Sequence, residues 1–183
     1  MKNHRIVLWT LIALTVPLAF AGCRSRTDRS EGTVLLSVSH FDRLPFTVVL
    51  TAQDPPFTIG TVTVRNVAKD PTGTTSNLQD VELRSYQITY TRRDTGTRVP
   101  PPSVQAIFGN VPVGGTTDLL NTGFMFSDQT LSQPLKDLHD FGVDRETGTA
   151  VIVLDVSMTF FGRTLSGDEI ASAPATFTIE VRQ

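Results

Sequence analysis

From residue 33 onward, apolar and polar residues alternate over short stretches, the period of a β-strand with one buried face. Val34, Leu36 and Val38 make the first run, Phe46, Val48 and Leu50 the second, and Val62 and Val64 a third. Val81 and Leu83 share one parity, whereas Tyr86, Ile88 and Tyr90 share the other. The stretch Val81–Arg92 therefore predicts a strand whose phase changes at Arg84-Ser85, as a β-bulge would change it. Val104, Ala106 and Phe108 predict another strand, with those three on its apolar face. Ile152, Leu154, Val156, Met158 and Phe160 make the longest run, and Phe177, Ile179 and Val181 the last.

Turn residues punctuate these runs: Asp54-Pro55-Pro56, Asp70-Pro71-Thr72-Gly73, Asp94-Thr95-Gly96, Gly114-Gly115 and Ser166-Gly167-Asp168. Two hairpins are expected. One turns tightly at Asp94 to Gly96, and the other passes through 164–168 into a final strand starting near Ile170. Pro174 puts the first half of that strand on an edge or at a bulge. In 129–141, Leu131, Leu135 and Leu138 have helical spacing, and Pro134 suits a first turn. One short helix at about 134–140 is expected to cross between two sheets. The pattern predicts an all-β fold, an antiparallel β-sandwich of seven to eight strands over 33–183. This resembles immunoglobulin-like and fibronectin-like sandwiches, without their Cys-Trp-Cys hallmark, because the only Trp is Trp9. The ending MTFFGRTLSGDEIASAPATFTIEV is similar to the last hairpin of bacterial Ig-like lipoproteins of unknown function.

The N-terminus follows a different pattern. MKNHR is a short positive start, 6–22 is mostly apolar, and Phe20-Ala21-Gly22-Cys23 ends in small residues before Cys23. That order resembles the lipobox of bacterial lipoproteins, with Phe20 where the family usually has Leu. The resemblance implies a signal peptide over 1–22, cleavage between Gly22 and Cys23, a diacylglyceryl group on the Cys23 thiol and usually an acyl group on its new amine. Residues 23–32 would then be a polar tether. Arg24, rather than Asp, follows Cys23; by the same resemblance the protein is exported and held at the periplasmic face of the outer membrane or at the cell surface.

Composition narrows the chemistry. The 183 residues carry 16 basic and 18 acidic side chains, a formal net charge of -2, so a strongly basic nucleic-acid binder is excluded. A single cysteine excludes an internal disulfide framework and a Cys-based zinc cluster. No G-x-S-x-G, H-E-x-x-H, C-x-x-C or D-x-D-x-D-G pattern is present, and no Lys-Ser or Lys-Thr follows the glycines of 109–115. His40 falls at a strand end. His139 is flanked by Asp137 and Asp140, and neighbours along a helix do not face each other, so the spacing makes no triad. Arg92 and Arg93 beside Tyr86 and Tyr90 are read as a solvated face. The expected set of catalytic residues, metal ligands and cofactors is therefore empty.

Binding features remain. Pro100, Pro101 and Pro102 form a stiff stretch that either presents a recognition surface or ends a strand. Phe124, Met125 and Phe126 are three large apolar residues in a row. They offer either an exposed face, with Phe124 and Phe126 as partner contacts, or a strand buried on both sides. The expectation is a non-enzymatic, lipid-anchored cell-envelope protein acting as a binding or structural module. Its partners would be the membrane, through Cys23, and another envelope protein, with no nucleic acid. The alternative is a ligand or calcium sensor or carrier at the loop end of the sandwich, where Asp42, Asp54, Asp70, Asp80, Asp94, Asp118, Asp128 and Asp168 mostly fall.

Overall fold

The alternating runs become strands whose apolar sides meet across two sheets. The computed structural model describes residues 32–45 and 47–183. Among them nine strands form: β1 (Val34–Asp42), β2 (Thr47–Val49), β3 (Phe57–Ala68), β4 (Val81–Arg92), β5 (Ser103–Val111), β6 (Thr116–Met125), β7 (Val151–Thr164), β8 (Glu169–Ala171) and β9 (Ala175–Arg182). Two short helices, α1 (Ser127–Thr130) and α2 (Leu135–Phe141), lie between β6 and β7. Cys23 and Gly22 fall outside the described residues, as does Phe46. Among the described residues no helix is long and apolar enough to cross a membrane.

One sheet has the order β1-β3-β6, and the other β2-β9-β7-β4-β5, with β8 paired to β7. Their inner faces share a buried cluster that includes Ile59, Val62 and Val64 from the first sheet and Ile88, Val156, Met158 and Ile179 from the second. Phe124 of β6 meets Phe177 of β9 edge-to-face, with ring centroids 5.5 Å apart. Two phenols bridge the sheets. Tyr86 donates to the Gly123 carbonyl at 2.9 Å and Tyr90 to the Phe124 carbonyl at 2.5 Å. Burial pushes the Tyr86 phenol up to about 12 and raises that of Tyr90 further, so both remain donors. The helices connect strands of different sheets, as expected of the one short helix, but α1 is an extra turn and Leu131 lies exposed outside α2, which buries only Leu135 and Leu138 of the three leucines.

The bulge expected at Arg84-Ser85 is present. Register shifts between Leu83 and Ser85 in the pairing of β4 with β5 and again with β7. Gly162 of β7 lies opposite Leu83, and a Cβ there would come within 2.5 Å of the Glu82 carbonyl oxygen. Only glycine lets β7 approach the bulged strand so closely.

Several expectations need correction. The sheets are not wholly antiparallel, because β2 runs parallel to β9. β4 and β5 are joined by 93–102, a longer connection than a tight turn at Asp94. The segment after 168 divides into β8 and β9 around Pro174, so β9 starts at Ala175 and not near Ile170. β6 was not expected in full. Asn121 takes φ 50° inside it, Leu120 points outward, and Thr122 to Met125 are all buried, so no period of two runs through the strand. The largest reversal concerns β5, where Val104, Ala106 and Phe108 face outward.

Gly162→Ala is expected to lower stability by about 1–3 kcal/mol, because β7 or β4 must shift to admit the methyl group. Urea denaturation measures this, and an unchanged midpoint would contradict the close approach at the bulge.

Candidate functional site

Arg92 ends β4 on the same parity as Tyr86, Ile88 and Tyr90, which carries its side chain inward. It is 2% exposed, whereas Arg93 is 62% exposed and pairs with Asp155 at 2.9 Å. The expected solvated arginine face is thus half wrong: Arg92 is buried. Its guanidinium grips Asp94 with two bonds, Nε to Oδ1 at 2.5 Å and Nη2 to Oδ2 at 2.7 Å. Nη2 also reaches Asp144 Oδ2 at 2.8 Å, and Nη1 lies 3.5 Å from Glu146. Glu146 in turn accepts from the Thr97 amide at 2.8 Å and the Arg98 amide at 3.0 Å. Asp144 is 1% exposed and accepts from the Glu146 amide and the Thr147 hydroxyl. One planar cation therefore ties the β4–β5 connection to the segment before β7.

The charges are matched accordingly. Burial opposes the charge on Arg92, but the hydrogen bonds to Asp94 and Asp144 outweigh it and hold its pKa above the usual value. The Arg92 bond keeps Asp94 below the usual carboxylate range. Burial works against Asp144, yet Thr147 and Arg92 together hold it low, and the Thr97 hydroxyl leads the lowering of Glu146. Arg92 fills the space a cation would need between these carboxylates. Among the described residues no three His, Cys, Asp or Glu side chains group as metal ligands. Several of the loop aspartates serve the backbone instead. Asp70 accepts from the Thr72 amide at 2.9 Å, Asp80 from the Val113 amide at 2.8 Å and Asp94 from the Gly96 amide at 3.0 Å.

A cleft of about 200 Å³ lies beside α2, lined by residues that include Asp54, Ser127, Thr130, Lys136, His139 and Asp140. His139 Nδ1 is 3.0 Å from Asp140 Oδ1, so these two neighbours do meet, contrary to the helix-spacing argument. Asp140 reaches back to Lys136 as well, and the bonds from Lys136 and then His139 hold its carboxyl below the ordinary range. The Thr130 hydroxyl donates to the Ser127 carbonyl at 3.1 Å. The His139 ring is paired with an acid that already neutralises a lysine, and not with a hydroxyl, so the cleft holds an open ion network.

The remaining feature is β5. It ends the order of the larger sheet. Its register puts Ser103 opposite Ile88, Gln105 opposite Tyr86 and Gly109 opposite Leu83. Partners share a face, so these small and polar residues turn inward beside the bulky inner side chains of β4. Gln105 satisfies itself there by donating to the Ser103 hydroxyl at 2.7 Å. The even-numbered residues consequently face solvent, with Val104 65% exposed and Phe108 88% exposed. The strand reads SVQAIFGNV, with no charge and no proline.

The expected partner contacts are placed differently. Phe124 is fully buried against Phe177 and has no free face, because the strand around it is buried at four consecutive positions. Phe126 is half-buried against the core, with its amide donating to Gln129 Oε1 at 2.9 Å. Pro100 is buried. Pro101 and Pro102 are exposed and lead directly into β5, with the Pro101 carbonyl accepting from Gln129 Nε2 at 3.4 Å. Parity could have revealed Arg92 from the sequence. Nothing local could have revealed the outward face of β5, which depends on its pairing with β4.

These features define an all-β domain of two packed sheets, closed at one end by a buried arginine cluster and bearing an exposed apolar edge strand. Comparison with protein-family models, with curated proteins and with solved structures gave no match.

The lowered pKa values of Asp94, Asp144 and Glu146 favour the charged forms in the fold. Their stabilisation is present above the unfolded carboxylate pKa, about 4, and is lost as pH falls through the lower folded values. The melting temperature is expected to stay level down to about pH 5 and then to drop. Arg92→Leu leaves Asp144 buried without its cation and is expected to cost about 3–5 kcal/mol, with a shallower acid limb. Thermal melts across pH test this; equal acid limbs in both proteins would contradict it.

Proposed function

We propose that this protein is a non-catalytic interaction module of the cell envelope, an immunoglobulin-like sandwich held to a membrane by acyl chains on Cys23. The observation that carries the reading is β5, an edge strand with an uncharged sequence and an outward stripe of Val104, Ala106 and Phe108. Folded proteins usually blunt such edges with lysine, proline, a bulge or a covering loop. β5 has no lysine or proline within it, though its pairing with β4 is bulged between Ala106 and Gly109, and its free side can receive a strand, with main-chain bonds giving affinity and alternate side chains giving specificity. Arg92 and its carboxylates fasten loops, and Tyr86 and Tyr90 fasten sheets.

The lipobox resemblance supplies the anchor and the location, at the periplasmic face of an outer membrane or at the cell surface. Each buried CH₂ contributes about 0.8 kcal/mol, so two or three acyl chains hold a domain of this size firmly. Membrane attachment raises the local concentration of protein partners in the same leaflet, which makes a modest edge-strand interface sufficient.

Two measurements test the reading. Mass spectrometry of the N-terminal peptide is expected to show the lipid on Cys23, and Cys23→Ala is expected to move the protein out of the membrane fraction. A photo-reactive residue at position 108 in the native membrane is expected to capture protein, whereas one at Thr75, exposed in a loop, captures far less. Equal capture at both positions would remove the case for β5.

A further inference from the structure

Resting on the lipid anchor proposed above, we infer that the end of the sandwich where the chain enters docks on the same lipid surface, with Leu78 and Leu165 as its apolar contacts. The topology gathers six strand ends there. β1, β4 and β6 start at this end, and β3, β5 and β7 finish at it. Val34 pairs with Ala68, Arg65 with Thr116, and Val81 with both Val111 and Thr164. The Asn66 side chain binds the end together, donating to the Gln79 carbonyl at 2.9 Å and to the Val111 carbonyl at 3.1 Å. Gly32, where the described domain begins, lies against Ile170 of β8, close to the turn between β7 and β8.

Leu78 is 59% exposed and Leu165 46% exposed. Single exposed leucines are ordinary, but these two are neighbours. The Ser166 amide donates to the Leu78 carbonyl at 2.9 Å, and the Leu165 amide to the Asp80 carbonyl at 3.0 Å. Leu78 is also held in place. It sits in a single 3-10 turn, Asn77–Gln79, whose first residues are capped by Ser76. The Leu78 amide donates to the Ser76 hydroxyl at 3.2 Å, and the Ser76 amide to Gln79 Oε1 at 3.1 Å. With Asn66 holding the Gln79 carbonyl, the backbone around this leucine is fastened while its side chain stays in solvent. The end therefore presents two apolar side chains on a preformed support.

Chain length selects the occupant. The nine residues from 24 to 32 span at most about 30 Å when fully extended. The domain is longer than that, because β7 alone, at 14 residues, extends about 45 Å. An acyl anchor on Cys23 therefore keeps the entry end beside the leaflet, and the lipid surface is what Leu78 and Leu165 meet at high local concentration. Leu131, equally exposed, lies at the opposite end among the helices. Charge then selects the kind of contact. The charged residues of 69–80 and 163–169 are Lys69 and Arg163 against Asp70, Asp80, Asp168 and Glu169, and 112–115 has none. This is no basic face, so anionic headgroups add nothing. The leucines enter the boundary between headgroups and acyl chains of a neutral surface.

The test uses the acylated protein in vesicles of neutral phosphatidylcholine. Acylation consumes the Cys23 thiol, so Leu78→Cys, Leu165→Cys or Leu131→Cys supplies a unique site for an environment-sensitive fluorophore. With nitroxide groups on the lipid chains, quenching at 78 and 165 is expected to exceed that at 131 by about threefold or more, and to change little with salt. Leu78→Asp is expected to remove most of the quenching at 165, because a carboxylate resists entry into the interface. The three leucines are exposed, so folding is retained, and a circular dichroism melt confirms it. If the acylated protein floats with the vesicles while 78 and 165 are quenched no more than 131, docking is overturned and the anchor reading stands. If Cys23 carries no lipid and the protein does not float, both fail. Quenching that requires anionic lipid and disappears in high salt would overturn the apolar contact.

Discussion

A one-residue slip in β4 determines which side chains the larger sheet shows to water. β4 lies between β7 and β5, and register shifts at Leu83 to Ser85 on both sides, by an extra residue of β4 against β7 and by an extra residue of β5 against β4. After the bulge, Tyr86, Ile88, Tyr90 and Arg92 all point inward. The two tyrosines reach carbonyls of β6 and tie the sheets together. Arg92, next on the same parity, gathers Asp94, Asp144 and Glu146 at the end of the domain. On the other side, the pairing turns Gln105 and Ser103 of β5 inward beside Tyr86 and Ile88. The larger residues Val104 and Phe108 are left outside. Sheet cohesion and the loop clamp therefore share one cause, and the pairing of β5 with β4 sets the exposed edge.

Much of this was legible in the residues. The runs in β7 and β9 alternate strictly, and the parity change in β4 announced the bulge. Leu135 and Leu138 announced the short helix of 135–141. What escaped notice did so for physical reasons. β6 carries a left-handed Asn121 and a register shift near Phe57, so burial along it follows no simple period. A three-residue strand such as β2 gives no local sign of direction, and its parallel pairing with β9 depends on the rest of the sheet.

The site shows the same division. Phe124 looked available because three large apolar residues in a row have more apolar surface than one face of a strand can hide. The kinked strand buries Phe124 fully and Phe126 in part, leaving nothing at Phe124 for a partner. Arg92 looked solvated because charged residues on a hairpin usually are, although its parity already pointed inward. Val104, Ala106 and Phe108 looked like core because apolar alternation normally marks the buried face. Here the alternation is real and its sense is inverted, since the cross-strand partner decides which face is in. An apolar stripe placed outward on an uncharged edge is costly in isolation, and the proposed interaction at that edge would give it a use.

The most direct test of this account is the labelling rate of single cysteines placed at each position from 103 to 109 in the folded Cys23→Ser protein. The register of β4 predicts fast labelling at 104, 106 and 108 and slow labelling at 103, 105, 107 and 109. The opposite alternation would mean that β5 is shifted by one residue against β4, and the exposed stripe, with the interaction surface proposed on it, would not exist.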